Sequence, residues 1–314
     1  MTYQDPVQSY SGSIREVALG AEGRQVVAGG ARTMPFYAFD GAPFTPPLIA
    51  MEVYDARPHG WPAAAEEPFA DVLDDPVAWG RRCVEEHGAD MVCLQLASTD
   101  PNGADAPPEA AAEVARKVAE GVDAPLVVYG SGNAIKDAEV LKAVAEACAG
   151  HDVVLGPAVE DNYKQVGAAA LGYSHLVSGE SPIDVNMAKQ LNILLTQLGL
   201  GIDRLLTDPS VGALGYGLEY AYTVIERLRL AALAQNDAMT QSPIVCQVGR
   251  EAWRVKEARA SEEEEPSWGD AGKRGVLWEA TTALSLALAG GDVIVMRHPD
   301  AVALVRAAFS GLGA

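Results

Sequence analysis

The sequence predicts an α/β fold, a (β/α)8 TIM barrel preceded by an N-terminal β-hairpin, and three observations carry that prediction. From residue 48 onward short β-rich runs alternate with longer amphipathic ones; the short runs number eight; and the first 45 residues look unlike the rest. Strict alternation means parallel strands joined by right-handed crossovers, and eight is the count at which such a sheet closes. A doubly wound open sheet is the alternative, but it usually lacks so even a count. The 314 residues fit one barrel domain as well as two average ones, so the division expected is an arm over 1–45 and a barrel over 46–314.

In the arm, "SIREVALG" and "RQVVAGG" flank the turn "AEG" as the strands of a hairpin do. The proline-rich "GAPFTPPL" then punctuates the chain. The eight strand candidates are 48–54, 91–97, 126–130, 153–157, 175–179, 204–208, 244–249 and 293–298. Helical patterns follow them, for example "PPEAAAEVARKVAEGV", "DAEVLKAVAEACAG" and "DVNMAKQLNILLTQLG", the last with Val185, Leu191, Ile193 and Leu194 as its apolar set. One unit is irregular: residues 250–275 form an insertion between the seventh strand and its helix, and its "EEEEP" run reads as an exposed, mobile loop.

Composition narrows the function. With 49% hydrophobic and 6% aromatic residues the chain can fill a large, tightly layered core. A net charge of −20 repels phosphate backbones and anionic membranes, so neither nucleic acid nor membrane is an expected partner. The four cysteines, at 83, 93, 148 and 246, include no C-x-x-C pair, and the amino terminus is not signal-like. Core packing in a reducing cytoplasm suits them better than a zinc or iron–sulfur site of this chain's own. No apolar segment reaches the ~18 residues a spanning helix needs.

Barrels of this kind place ligands at the carboxyl ends of the strands. The residues there are polar without being conventionally catalytic. There is no G-x-S-x-G elbow and no H-E-x-x-H, and of five scattered histidines only His298 follows a strand, where a structural hydrogen bond is its expected role. After the sixth strand, Asp208 and Pro209 make a turn, and Gly212, Gly215 and Gly217 permit positive φ and a close approach of backbone to ligand. The helix from about Leu218 aims its free N–H groups at the same space. A tight βα turn explains these glycines equally well. "GSGN" after the third strand is a weak phosphate-loop signal, lacking the full pattern. In "VEDNYK", Asp161 or Asn162 suits a helix N-cap, and the remaining acid and amide groups match the edge of a pterin ring.

The segments "AMEVYD", "EDNYKQV", "SPIDVNMAKQLNIL", "DPSVGALGYGLEYAYTVIERLRLAAL", "PIVCQVGREAWRVKEA" and "RGVLWEATTALSLALAGGDVIVMRHPDAV" carry a specific resemblance. From about residue 14 to its end the chain resembles the small subunit of the corrinoid iron-sulfur protein, the delta subunit of acetyl-CoA decarbonylase/synthase in methanogens. The resemblance implies a non-catalytic barrel subunit paired, as a heterodimer, with a larger subunit that holds a [4Fe–4S] cluster and most of a corrinoid (cobamide). It implies a methyl group carried on cobalt from methyltetrahydropterin, through a methyltransferase, to acetyl-CoA synthase in the reductive acetyl-CoA (Wood–Ljungdahl) pathway of anaerobic carbon fixation. A reductive activator is a further transient partner. On this reading Ser131, Asn133, Asn162, Asp208, Ser210, Gly212, Gly215 and Arg297 line the barrel mouth over the corrinoid, with no catalytic residue and no metal ligand in this chain. The alternative is a stand-alone pterin methyltransferase in which Glu52, Asp100, Glu160, Asn162 and Asp208 hold the ring. A purely structural subunit leaves the strand-end glycines unexplained.

Overall fold

The computed structural model describes residues 9–35 and 45–311. Strands β1 (Val17–Leu19) and β2 (Val26–Ala28) pair antiparallel, Val17 opposite Ala28, and are the expected hairpin. Part of the proline-rich punctuation, residues 41–44, lies outside the described residues. Eight parallel strands follow: β3 (Leu48–Tyr54), β4 (Met91–Gln95), β5 (Leu126–Tyr129), β6 (Val154–Ala158), β7 (Leu176–Glu180), β8 (Leu205–Asp208), β9 (Val245–Gln247) and β10 (Val293–Met296). Each neighbours the next in sequence, β10 returns to β3, and a parallel bridge between Thr207 and Ile244 links β8 to β9 and completes the ring. Every expected strand is present, with bounds shifted by three residues at most.

Helices alternate with the strands on the outside: α1 (Ala63–Glu66) and α2 (Pro76–Glu85), α3 (Pro108–Gly121), α4 (Ala134–Ala147), α5 (Tyr163–Tyr173), α6 (Val185–Gln197), α7 (Leu218–Leu233), α8 (Val248–Ala252), α9 (Lys256–Arg259), α10 (Ala271–Ala289) and α11 (Pro299–Gly311). Their starts are written locally. Asp184 accepts from Asn186 N and Met187 N at 2.7 and 2.9 Å to cap α6, and Asp75 caps α2, which opens on Pro76. On α6 the buried face is Ala188, Leu191, Asn192 and Leu195, while Val185, Ile193 and Leu194 are only half-buried. The expected apolar set was rotated because Asn192 is a core residue, donating to Thr207 Oγ1 and Met239 O at 3.0 Å each.

The insertion is more structured than an open loop. Exposed as expected, its acidic run nevertheless has fixed partners: Glu265 pairs with Lys256 at 2.6 Å, Glu264 accepts from Ser261 N at 2.9 Å, and Glu262 accepts from Ala271 N at 3.3 Å. Arg274 ties the segment to α10 through Glu257 O and Ala260 O.

The hairpin closes the amino-terminal end of the barrel. Val17, Leu19 and Ala28 share one buried cluster with the inward-facing Ala50, Met91, Val127, Leu206 and Val293. Arg24 at the turn donates to Ala119 O and Val122 O, both at 3.2 Å. Two acids clamp strand starts at this end. Asp90 accepts from Ile49 N at 2.8 Å and Arg306 at 2.9 Å; Asp292 accepts from Ile244 N at 2.6 Å and from the buried Arg229.

Candidate functional site at the carboxyl end of the barrel

Side chains in a strand alternate between faces, so each residue two positions on points the same way. Inside this barrel that step converts an apolar lining into a polar one: Ala50 is followed by Glu52, Cys93 by Gln95, Val127 by Tyr129, Leu206 by Asp208, Val245 by Gln247 and Val295 by Arg297, all buried. The mouth is therefore built on strands rather than on loops.

At its centre Gln95 donates to Gln247 Oε1 across the barrel at 3.1 Å. Tyr129 donates to Asp208 Oδ2 at 3.0 Å and meets Ser178 Oγ at 2.6 Å. Asp208 Oδ1 accepts from Ser210 N at 3.0 Å, and Ser210 Oγ donates to Ser181 O at 2.8 Å. Glu180 and Asp208 are register partners on adjacent strands. Burial first, and then the charge of Glu180, push the Asp208 carboxyl up to about 7. Burial likewise raises Glu180. Burial alone disfavours a charged Arg250, but Glu180, Asp208 and Glu251 outweigh it and hold that guanidinium charged.

On the opposite side Arg297 pairs with Glu52 at 2.8 Å, donates to Tyr54 Oη at 3.2 Å, and lies 3.8 Å from the centre of the Trp61 ring. Trp61 meets Tyr54 and Trp79 edge-on, with centroids 5.0 and 5.9 Å away, so the cation rests on a braced aromatic wall. From α10, Glu279 accepts from Trp253 Nε1 at 2.7 Å, from His298 N at 3.1 Å and from Arg297 N. Burial raises its carboxyl to about 7. His298 stacks on Trp253 and accepts from Asp300 N at 3.1 Å, capping α11: the structural role expected of it.

The remaining sequence-derived candidates fall into place unevenly. Gly215 and Gly217 have positive φ, 74° and 100°, whereas Gly212 does not, and Ser210 takes the left-handed conformation instead at 53°. A Cβ on Gly212 would stand 2.6 Å from Tyr216 O and 2.8 Å from Gly217 C, so its bareness lets the loop fold onto itself. Trp278 Nε1 and Thr282 Oγ1 pin that loop through Leu214, at 2.9 and 3.2 Å. The helix begins at Leu218 as expected, although Leu218 N is already bonded to Ala213 O. The phosphate-loop reading of "GSGN" is overturned: the carboxylate of Asp137 fills that nest, accepting from Ser131 N at 2.8 Å and Gly132 N at 2.9 Å, and Asn133 is the N-cap of α4. Asn162 occupies the cap position of α5 without capping it; its side chain turns inward, accepting from Val159 N at 2.8 Å and donating to Pro157 O and Ala134 O. Of the groups suggested for a pterin, Asn162 is stapled to its own turn, Glu52 is paired with Arg297, and Glu160 is exposed.

Beside Arg297 opens a cavity of about 630 Å³, walled by Tyr54, Trp61 and Trp253 and bordered by Arg57, Arg250, Arg254 and Arg259. Sequence reading missed Gln95, Tyr129, Trp61, Glu279, Arg254 and Arg259. Of these Glu279 left a signal, as the lone acid within the apolar run "VLWEATTALSLALA".

Three buried acceptors or hydroxyls at the mouth, Glu52 Oε1, Glu180 Oε2 and Ser181 Oγ, have no hydrogen-bond partner among the described residues. No histidine is hydrogen-bonded to a serine, threonine or cysteine among those residues. The four cysteines are buried in separate elements; burial raises Cys148 to about 12 and the others further, and no metal-holding group of three His, Cys, Asp or Glu occurs among the described residues. Nor is any described helix long and apolar enough to cross a membrane.

Solved structures with this architecture include dihydropteroate synthase of Xanthomonas albilineans with 4-aminobenzoic acid (TM-score 0.61, 17% identity, 96% of this chain and 99% of that one). Another is dihydropteroate synthase of Coxiella burnetii with pteroic acid (TM-score 0.58, 12% identity, 96% and 100%). Such distant likeness speaks to the fold alone. Sequence relatives are nearer. The acetyl-CoA decarbonylase/synthase complex subunit delta of Archaeoglobus fulgidus is 39% identical, covering 98% of this chain and 70% of its own length. The subunit delta of Methanopyrus kandleri is 40% identical over 94% and 74%, and subunit delta 2 of Methanosarcina acetivorans 39% over 91% and 66%. The chain thus spans about two thirds to three quarters of these relatives. Residues 16–307 match the CO dehydrogenase/acetyl-CoA synthase delta subunit family, and the chain belongs to that family.

Proposed function

We propose that the chain is the non-catalytic barrel subunit of a methyl carrier, its polar mouth covering a corrinoid held mainly by a larger iron–sulfur subunit. The observation that carries this reading is the conversion of the barrel's inner face, at its carboxyl end, into amides, a phenol and ionisable side chains, with no nucleophile–base pair among the described residues. A corrin is a broad, largely apolar disc rimmed with amides, and orphaned acceptors such as Glu52 Oε1 and Glu180 Oε2 suit amide N–H donors. Gln95, Gln247, Ser181, Ser210 and Arg297 are the residues that would hold that rim. Bound, the corrinoid supplies a cobalt that accepts and releases a methyl group. This chain's residues would orient it: Trp61 and Tyr54 form an aromatic wall, and Asp208, poised near neutral pH, holds a proton at Oδ1 or Oδ2 without fixing a negative charge at the mouth. The cysteines do not fit an iron–sulfur cluster, which supports its placement in the partner.

Membership of the family supports the rest of the reading: methyltetrahydropterin as donor through a methyltransferase, acetyl-CoA synthase as acceptor, a reductive activator, and a cytoplasmic setting. The test is affinity purification of a tagged full chain from its own anaerobic cells. Near-stoichiometric cobalt with a larger, cysteine-rich polypeptide is the expected result. A single chain without cobalt that binds methyltetrahydrofolate would contradict it in favour of a stand-alone pterin methyltransferase.

A further inference from the structure

We infer that the cavity beside Arg297 is an oxyanion site that takes a phosphate ester, and that the insertion after β9 exists to arm it. The chain carries a net charge of −20, yet five arginines and a single acid, Asp100, border this one cavity. Two of the five face acids below the cavity: Arg297 pairs with Glu52 at 2.8 Å, and Arg250 with Glu251 at 3.2 Å in the field of Glu180. The other three are exposed at the rim. Arg57 pairs with Asp74 at 2.8 Å, Arg254 shares Glu251 with Arg250, and the exposed Arg259 has no ion pair or hydrogen bond among the described residues.

These three approach from two chain segments, the turn after β3 and the α8–α9 insertion. One guanidinium fork satisfies a carboxylate; several forks from different directions match the three or more oxygens of a phosphoryl group. The insertion is braced for the purpose. Arg274 holds the carbonyls of Glu257 and Ala260, and Lys256 pairs with Glu265, so Arg254 and Arg259 are presented from a fixed backbone. About 630 Å³ exceeds what a free phosphate fills, and the aromatic lining of Tyr54, Trp61 and Trp253 offers apolar surface to the remainder of an ester.

The source of the phosphate is either the phosphodiester of a corrinoid's nucleotide tail, which rests on the function proposed above, or a free phosphate ester. The probe is pyrophosphate, titrated calorimetrically into the full chain at low ionic strength. Saturable binding at one site is expected, weakened at least 10-fold in Arg254→Ser/Arg259→Ser and unchanged in Arg227→Ser, an exposed arginine of α7 that does not border the cavity. Both targeted side chains are exposed, so loss of binding with an unaltered melting temperature reads the site and not the fold. Absence of saturable binding, or equal affinity in the double variant, overturns the inference.

Competition identifies the source. If cobalamin displaces pyrophosphate and cobinamide, which lacks the nucleotide tail, does not, the corrinoid tail is the ligand; if neither displaces it, a free ester is. Pyrophosphate binding in a complex that retains no corrinoid keeps the anion site and removes the corrinoid reading. Equal retention of cobalamin and cobinamide without pyrophosphate binding does the reverse.

Discussion

The two ends of the barrel give their strand-end acids different neighbours. At the amino-terminal end Asp90 and Asp292 each accept from the backbone N–H of a neighbouring strand start and from an arginine, and the hairpin residues Val17 and Leu19 cover the core. At the carboxyl end two carboxylates, Glu180 and Asp208, stand in register with each other, and Glu52 Oε1, Glu180 Oε2 and Ser181 Oγ lack partners among the described residues. A carboxylate held between a cation and a backbone N–H favours the folded state, whereas like charges side by side cost it. The fold is secured at the bottom, and the strain is tolerated at the top where ligands of barrels bind.

Substitutions should therefore move stability in opposite directions at the two ends. The largest loss is expected from Asp292→Ala, which strands the buried Arg229 and the N–H of Ile244; a cost of about 3–5 kcal/mol in urea unfolding is expected. A cost under 1 kcal/mol would break the comparison.

At the other end Asp208→Asn should stabilise. The folded-state carboxyl is raised from 3.8 to about 7, so its stability contribution is intact below pH 4 and declines as pH rises through 7. The variant should exceed the parent at pH 8, the lead vanishing near pH 4, in unfolding curves taken across that range. A variant less stable than the parent at pH 8 would remove the claim that the mouth is costly.

Leu19→Ala sharpens the hairpin's part in the lower end. Leu19 is fully buried in the barrel's inner cluster, and truncation should cost about 3 kcal/mol. The smallest effect belongs to Arg254→Ser/Arg259→Ser, exposed at the rim, which should leave unfolding within about 0.5 kcal/mol while weakening anion binding at least 10-fold.

Much of this organisation was legible in the sequence because strand alternation is a one-dimensional pattern: all eight barrel strands, the hairpin and the start of α7 at Leu218 follow from it. The site was legible only where it lies after strand ends, as with Asp208, Ser210 and Arg297. Gln95 and Tyr129 sit within strands, and their inward direction depends on the pleat and on which residues share the barrel axis. Asn133 and Asn162 illustrate a different difficulty. Both are polar residues near a mouth, yet local loop geometry spends them on their own backbone, so residue type and position alone read them as ligand groups. Gly212 misled for the same reason: a glycine admits both a ligand and the chain's own return path, and only the fold decides between them.

The decisive measurement is hydrogen–deuterium exchange of the full chain, alone and in complex with the corrinoid-loaded larger subunit that the proposed function requires. The account predicts protection in the loops at the carboxyl end, 208–217 and 247–259, with exchange unchanged in the hairpin over 17–28. Protection of the hairpin end with the mouth unaffected would contradict it.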